Sequence, residues 1–162
     1  MPKNLASMIR NKFPMFVNSL KSLSSDVLVG VPSTGTQRRE KGAAMNNATL
    51  AYIHDNGSPA ANIPARPFMR PGIKTVQSRI VETLKAGASG VLRADPGQVD
   101  KALNRAGLIA QSSIRAEINS GIAPPLAAST LAARRARGRT GTKPLVDTAQ
   151  LRNSINYVVR TK

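Results

Sequence analysis

The sequence predicts an α+β fold, a small, mainly antiparallel sheet packed against two or three long helices. Three observations lead there. Asp26–Pro32 is short and valine-rich, and Ile155–Thr161 alternates apolar and polar residues, so both read as strands. Between them, apolar residues recur three and four apart from Ile73 to Ser120, the spacing of long amphipathic helices. Aromatic residues make up only 3% and tryptophan is absent, so the core is aliphatic. The 162 residues suit a single domain, residues 1–162, which buries roughly two-thirds of its unfolded surface.

From Asn4 to Leu23, Leu5, Ile9, Phe13, Phe16, Leu20 and Leu23 keep helical spacing, and Pro14 either kinks this helix or begins its second half. Such a basic amphipathic helix can lie on a membrane surface, but most stripes of this kind face a core, which favours a helix laid on its own sheet. Pro32 ends the first strand. A mobile loop over about 33–45 follows, with Arg38, Arg39 and Lys41 as candidates for contact with a partner or a DNA backbone. Asn46 or Asn47 caps a short helix reaching His54.

The next helix is expected to start just past Pro71 and to use Ile73, Val76, Ile80, Leu84, Ala88 and Val91. Asp95-Pro96-Gly97-Gln98 is a helix start: Asp95 as N-cap, Pro96 at the first helical position, Gln98 closing a capping box. That helix continues on Val99, Leu103, Ala106, Ala110, Ile114 and Ile118, its alanines permitting close packing, until Gly121 and Pro124-Pro125 stop it. A basic segment over about 126–143 follows, where Ser129 caps a helical turn through Ala136. Asp147 or Thr148 then caps a short turn reaching Leu151, before the last strand.

Composition narrows the chemistry. With no cysteine there is no disulfide framework, no cysteine-based zinc finger and no thiol nucleophile, which fits a reducing compartment. No apolar run approaches the roughly 20 residues of a membrane span, and no export signal is read. The lone histidine, His54, neighbours Asp55 but no nucleophile elbow, and the 8 acids show no metal-ligand spacing. Neither "STGTQRR" nor "RTGTKPL" is a Walker loop. No catalytic residue, cofactor or metal is therefore expected. The 24 Lys+Arg against 8 Asp+Glu, net +16, point to an anionic partner: DNA, RNA or an acidic protein surface. In "LAARRARGRTGTK", Arg134, Arg135, Arg137 and Arg139 are candidates for phosphate contacts. No aromatic residues interleave with them, so any contact is backbone-directed and blind to sequence.

The most informative stretch is Leu50–Ile73, LAYIHDNGSPAANIPARPFMRPGI. After Asp55-Asn56-Gly57 it crosses Pro59, Pro64, Pro67 and Pro71, which predicts a stiff, extended strap. A stiff strap loses little entropy when it is docked. One side of it is expected to sit on a core while the guanidinium groups face outward, making Ile63, Pro64, Arg66, Pro67, Phe68 and Arg70 candidates for protein contact.

"IHDNGSPAANIPARPFMRPGI" resembles the signature segment of the tail-completion (neck, or minor tail) proteins of tailed bacteriophages. "DVLVGVP" at Asp26–Pro32 and "KPLVDTAQLRNSINYVV" at Lys143–Val159 agree with the same family, in its order. The family pattern more often has an acidic and then an aromatic residue at Asp55 and Asn56, and glycine at Ala149. The resemblance implies a structural virion protein, not an enzyme. It would form a ring of its own copies, a hexamer, at the head–tail junction or tail end, beside neck, connector or tail-terminator proteins. Nonspecific contact with packaged DNA is compatible with this; a membrane partner is not expected. Its place would be the virion, and the host cytoplasm during assembly. The competing reading is an independent, sequence-nonspecific nucleic-acid-binding protein.

Overall fold

The computed structural model describes residue 17 and residues 24–34, 45–92, 95 and 97–161. The amphipathic stretch Asn4–Leu23, apart from Val17, and most of the loop over 33–45, with Arg38, Arg39 and Lys41, lie outside these residues. The described elements run β1 (Asp26–Gly30), α1 (Asn47–Asn56), a single 3-10 turn (Pro59–Ala61), α2 (Met69–Thr75), α3 (Gln77–Leu92), α4 (Gly97–Ser120), α5 (Ala128–Ala136), α6 (Gln150–Ser154) and β2 (Asn156–Arg160). The fold is α+β, with β1 and β2 paired in a two-stranded antiparallel sheet. Arg160 Nη2 lies 3.3 Å from Asp26 Oδ2, an ion pair at one end of the ladder.

The chain forms two compact units. One comprises Met1–Leu28, Val76–Ile109 and Tyr157–Lys162, the other Val29–Thr75 and Ala110–Asn156. In the first, Val99 and Leu103 of α4 are buried, with Val27 and Val159 packed against them. Tyr157 Oη meets Asn104 Oδ1 at 3.2 Å, so the ring lies along the same helix. Asp95 lies at the start of α4, its Oδ1 accepting from the Gly97 N–H at 3.1 Å. The expected capping box is replaced by a side-chain pair: Gln98 Nε2 donates to Asp95 Oδ2 at 3.0 Å, and the Asp95 N–H goes to the Gly90 carbonyl.

In the second unit, Ala51, Phe68, Ile114, Ile118, Leu151 and Ile155 form a buried cluster, flanked by Val29, Val31, Met69, Ile122, Leu145 and Val146. Here α1 packs against α6. Asn46 caps α1 through its Oδ1, 2.8 Å from the Thr49 N–H. Gly72 lets α2 approach the backbone of α4 closely. A Cβ placed there would lie 2.8 Å from the Ile114 Cα, while Ser113 Oγ donates to the Gly72 carbonyl at 2.6 Å.

Several expected boundaries shift. Helix α2 begins at Met69 and contains Pro71, instead of starting beyond it. Pro71 is the third helical residue, where the missing N–H would have no intrahelical acceptor, so the proline costs no hydrogen bond. A turn at Val76 then separates α2 from α3, and the expected apolar stripe is partly open to solvent: Ile73 and Leu84 are exposed, as is Val81 beside it. Helix α5 starts at Ala128 without a side-chain cap, so Ser129 does not cap it. Helix α6 starts at Gln150 behind Ala149, which takes the left-handed conformation (φ 58°), and neither Asp147 nor Thr148 is its cap. Among the described residues, no helix is long and apolar enough to cross a membrane.

Candidate functional site

The strap is built from both ends. Gly57 closes α1 at φ 80°, its N–H bonded to the Ile53 carbonyl at 2.7 Å, and a Cβ there would lie 2.9 Å from the Ala65 N. The chain then turns tightly, with Ser58 and Ile63 exchanging backbone hydrogen bonds of 2.8 and 2.9 Å. Returning past α1, it donates the Arg66 N–H to the His54 carbonyl at 2.7 Å. Asp55 fixes the far end: its Oδ1 accepts from the N–H groups of Phe68 (2.8 Å) and Met69 (3.0 Å), the orphan donors at the start of α2.

This geometry corrects the expected orientation of the strap. Arg66 points inward, 6% exposed, with Nε donating to the Pro124 carbonyl at 2.9 Å and Nη2 to the Pro125 carbonyl at 3.0 Å. Phe68 is fully buried in the apolar cluster. Phe68 is thus not a contact residue on the protomer surface, and Arg66 does not face outward along the strap as expected. The reason is that the strap also serves as a brace: its aromatic ring fills the core, and its guanidinium ties down the loop after α4. Pro64, Pro67 and Arg70 remain exposed, and Ile63 is half-buried. Of the six candidates, those facing outward are therefore two prolines and one cation.

The basic segment divides in the same way. Arg134 is buried, its Nη1 directed at the carbonyls of Gly141 (2.8 Å), Lys143 (3.0 Å) and Val146 (3.2 Å), and its Nε 3.6 Å from Asp147 Oδ1. A side chain so engaged is not a phosphate contact. Arg139 pairs with Asp147 at 2.6 Å. Arg135 and Arg137 are exposed, and Arg137 Nε makes only a local bond to the Ala133 carbonyl at 3.0 Å. Among the described residues, no group of three or more His, Cys, Asp or Glu side chains is placed to hold a metal.

Asp55 is the residue that sequence reasoning undervalued. The signal was present: the stretch before Met69 offers no Ser, Thr, Asp or Asn as a local cap, so the cap had to arrive from elsewhere in the chain.

The segments Asp26–Pro32, Ile53–Ile73 and Lys143–Val159 contribute to one cluster: Val29 and Val31 come from the first, Phe68 and Met69 from the second, and Leu145, Val146, Leu151 and Ile155 from the third.

No family model matches the chain, and no solved structure matches it. The chain is 40% identical over 62 residues to the uncharacterized protein MJ0331 of Methanocaldococcus jannaschii, a stretch covering 36% of this chain and 43% of that protein. The match thus spans less than half the length of that relative.

Proposed function

We propose that the chain is a structural virion protein of a tailed phage, a ring-forming tail-completion component at the head–tail junction or tail end. The observation that carries this reading is the shared cluster. Segments far apart in sequence, each resembling the same family, pack together as one apolar body.

In this reading the protein acts by shape. Pro64 and Pro67, held over a core by Phe68 and Arg66, form a rigid edge that loses little entropy on docking. Exposed Val81 and Leu84, three apart on α3, supply apolar area for a neighbour. Weak contacts of this kind become strong when a closed ring repeats them. Mass measurement at rising protein concentration, with negative-stain imaging, tests the reading. The expected result is closed rings of uniform copy number, lost on Arg70→Glu or Val81→Glu while the fold is kept. A protomer that stays single throughout, alone and with connector particles added, overturns it.

A second reading, sequence-blind nucleic-acid binding, draws on the exposure of Arg135 and Arg137 and on the net charge of +16. Gel-shift titration over salt separates the two. Tight binding of single protomers to free duplex, falling steeply with salt, favours this alternative.

A further inference from the structure

A cleft of about 210 Å³ opens in the second unit beside the inward face of the strap, with Asn47, Arg66, Thr130, Arg134, Arg137 and Gln150 among its lining residues. Two features of it are unbalanced. Arg66 is a buried cation whose only hydrogen bonds go to neutral carbonyls, and among the described residues no carboxylate lies within ion-pair distance of it. Among the described residues no hydrogen bond from its Nη1 is formed, and Arg66 lines the cleft. Buried charge without a counter-charge is costly. Asn47 is 5% exposed, and its Oδ1 is buried with no hydrogen-bond partner. An acceptor left in that state lacks a donor.

One kind of group answers both needs, an anion attached to an N–H donor. We infer that the cleft receives an acidic side chain of a partner polypeptide. The carboxylate accepts from Arg66 Nη1 and the rim guanidinium of Arg137, while a backbone N–H of the same partner segment donates to Asn47 Oδ1. Asp147, which also lines the cleft, is already engaged by Arg139 and Arg134, so it does not neutralise Arg66. Size supports a side chain over a nucleic acid. The volume equals about seven waters at ~30 Å³ each, enough for a carboxylate and its stem but not for a duplex. Inorganic phosphate fits by size and brings a P–OH donor of its own, so it is the competing occupant that the test must separate from a carboxylate. The inference goes beyond the ring reading and does not depend on it.

The test is a nuclear magnetic resonance titration of the full chain with N-acetylated, C-amidated Gly-Gly-Glu-Gly-Gly, the Gln counterpart of that peptide, and inorganic phosphate. The Glu peptide is expected to shift the Arg66 Nε–H, Thr130 and Gln150 resonances saturably. The Gln peptide is expected to bind at least about tenfold more weakly, the scale of one charge-assisted hydrogen bond. Arg137→Ala, at an exposed position, is expected to weaken the Glu peptide several-fold with the remaining spectrum unchanged. Asn47→Ala reports the backbone contact independently. Equal response to the Glu and Gln peptides overturns the inference, as does saturation by phosphate with both peptides inert. Shifts confined to surface arginines such as Arg135 overturn it too. The readout is taken on the protomer, so failure here leaves the ring proposal standing, and absence of rings leaves this one standing.

Discussion

Arg134 and Arg135 sit side by side and carry the same charge, but only Arg134 gathers the loop after α5, through the carbonyls of Gly141, Lys143 and Val146. Replacing it with Leu leaves those acceptors without their donor and Asp147 with one cation fewer. The expected loss is about 3 kcal/mol, as for other buried charged hydrogen-bond networks broken on one side. Arg135→Leu, at an exposed position, should change stability by no more than about 0.5 kcal/mol. Paired urea denaturation curves check the contrast. Ala149 offers the opposite sign. Its φ of 58° costs a residue with a Cβ about 1–2 kcal/mol, whereas glycine's extra freedom in the unfolded chain costs about 0.4–1 kcal/mol. Ala149→Gly should therefore stabilise by about 0.5–1 kcal/mol, raising the melting temperature by a few degrees.

At the scale of elements, strand pairing and two helix starts were legible because their causes are local. Asn46 and Asp95 accept from first-turn N–H groups of the helices that follow them, β1 is a short valine-rich run, and β2 carries its own alternation. The strap was legible only in part. Proline rules describe backbone preference residue by residue, and from them Arg66 and Arg70 look alike. What turns Arg66 inward is a pair of carbonyls 58 and 59 residues away, at Pro124 and Pro125. The start of α2 was hidden for the same reason, its cap being Asp55 in the preceding helix. Gly72 tests how α2 is seated. Helix propensity favours alanine there by about 1 kcal/mol. Against it stands a Cβ 2.8 Å from the Ile114 Cα, a backbone atom that cannot swing aside, and overpacking of this kind costs about 1–3 kcal/mol. The clash should win, so Gly72→Ala lowers the melting temperature. A Thr75→Ala control on the exposed end of the same helix should not. A stabilised Gly72→Ala would show that α2 does not lie against α4 as described.

For the whole molecule, charge sets the conditions under which copies can meet. A net +16 on 162 residues makes protomers repel one another before any short-range contact forms. Around the exposed surfaces proposed for docking, Pro64, Pro67, Val81 and Leu84, the neighbouring anion Glu82 is outnumbered by exposed Arg70, Arg79 and Lys85. Association through them should strengthen as salt shortens the screening length from about 30 Å at 0.01 M to about 8 Å at 0.15 M. Nucleic-acid binding responds the other way, because added salt reduces the gain from releasing condensed counterions. Sedimentation velocity over this salt range, run with and without a short duplex, should show self-association rising while any duplex-bound fraction falls. If self-association instead falls with salt, the contacts between copies are ionic. A ring held by proline and aliphatic edges would then be the wrong picture of how this protein assembles.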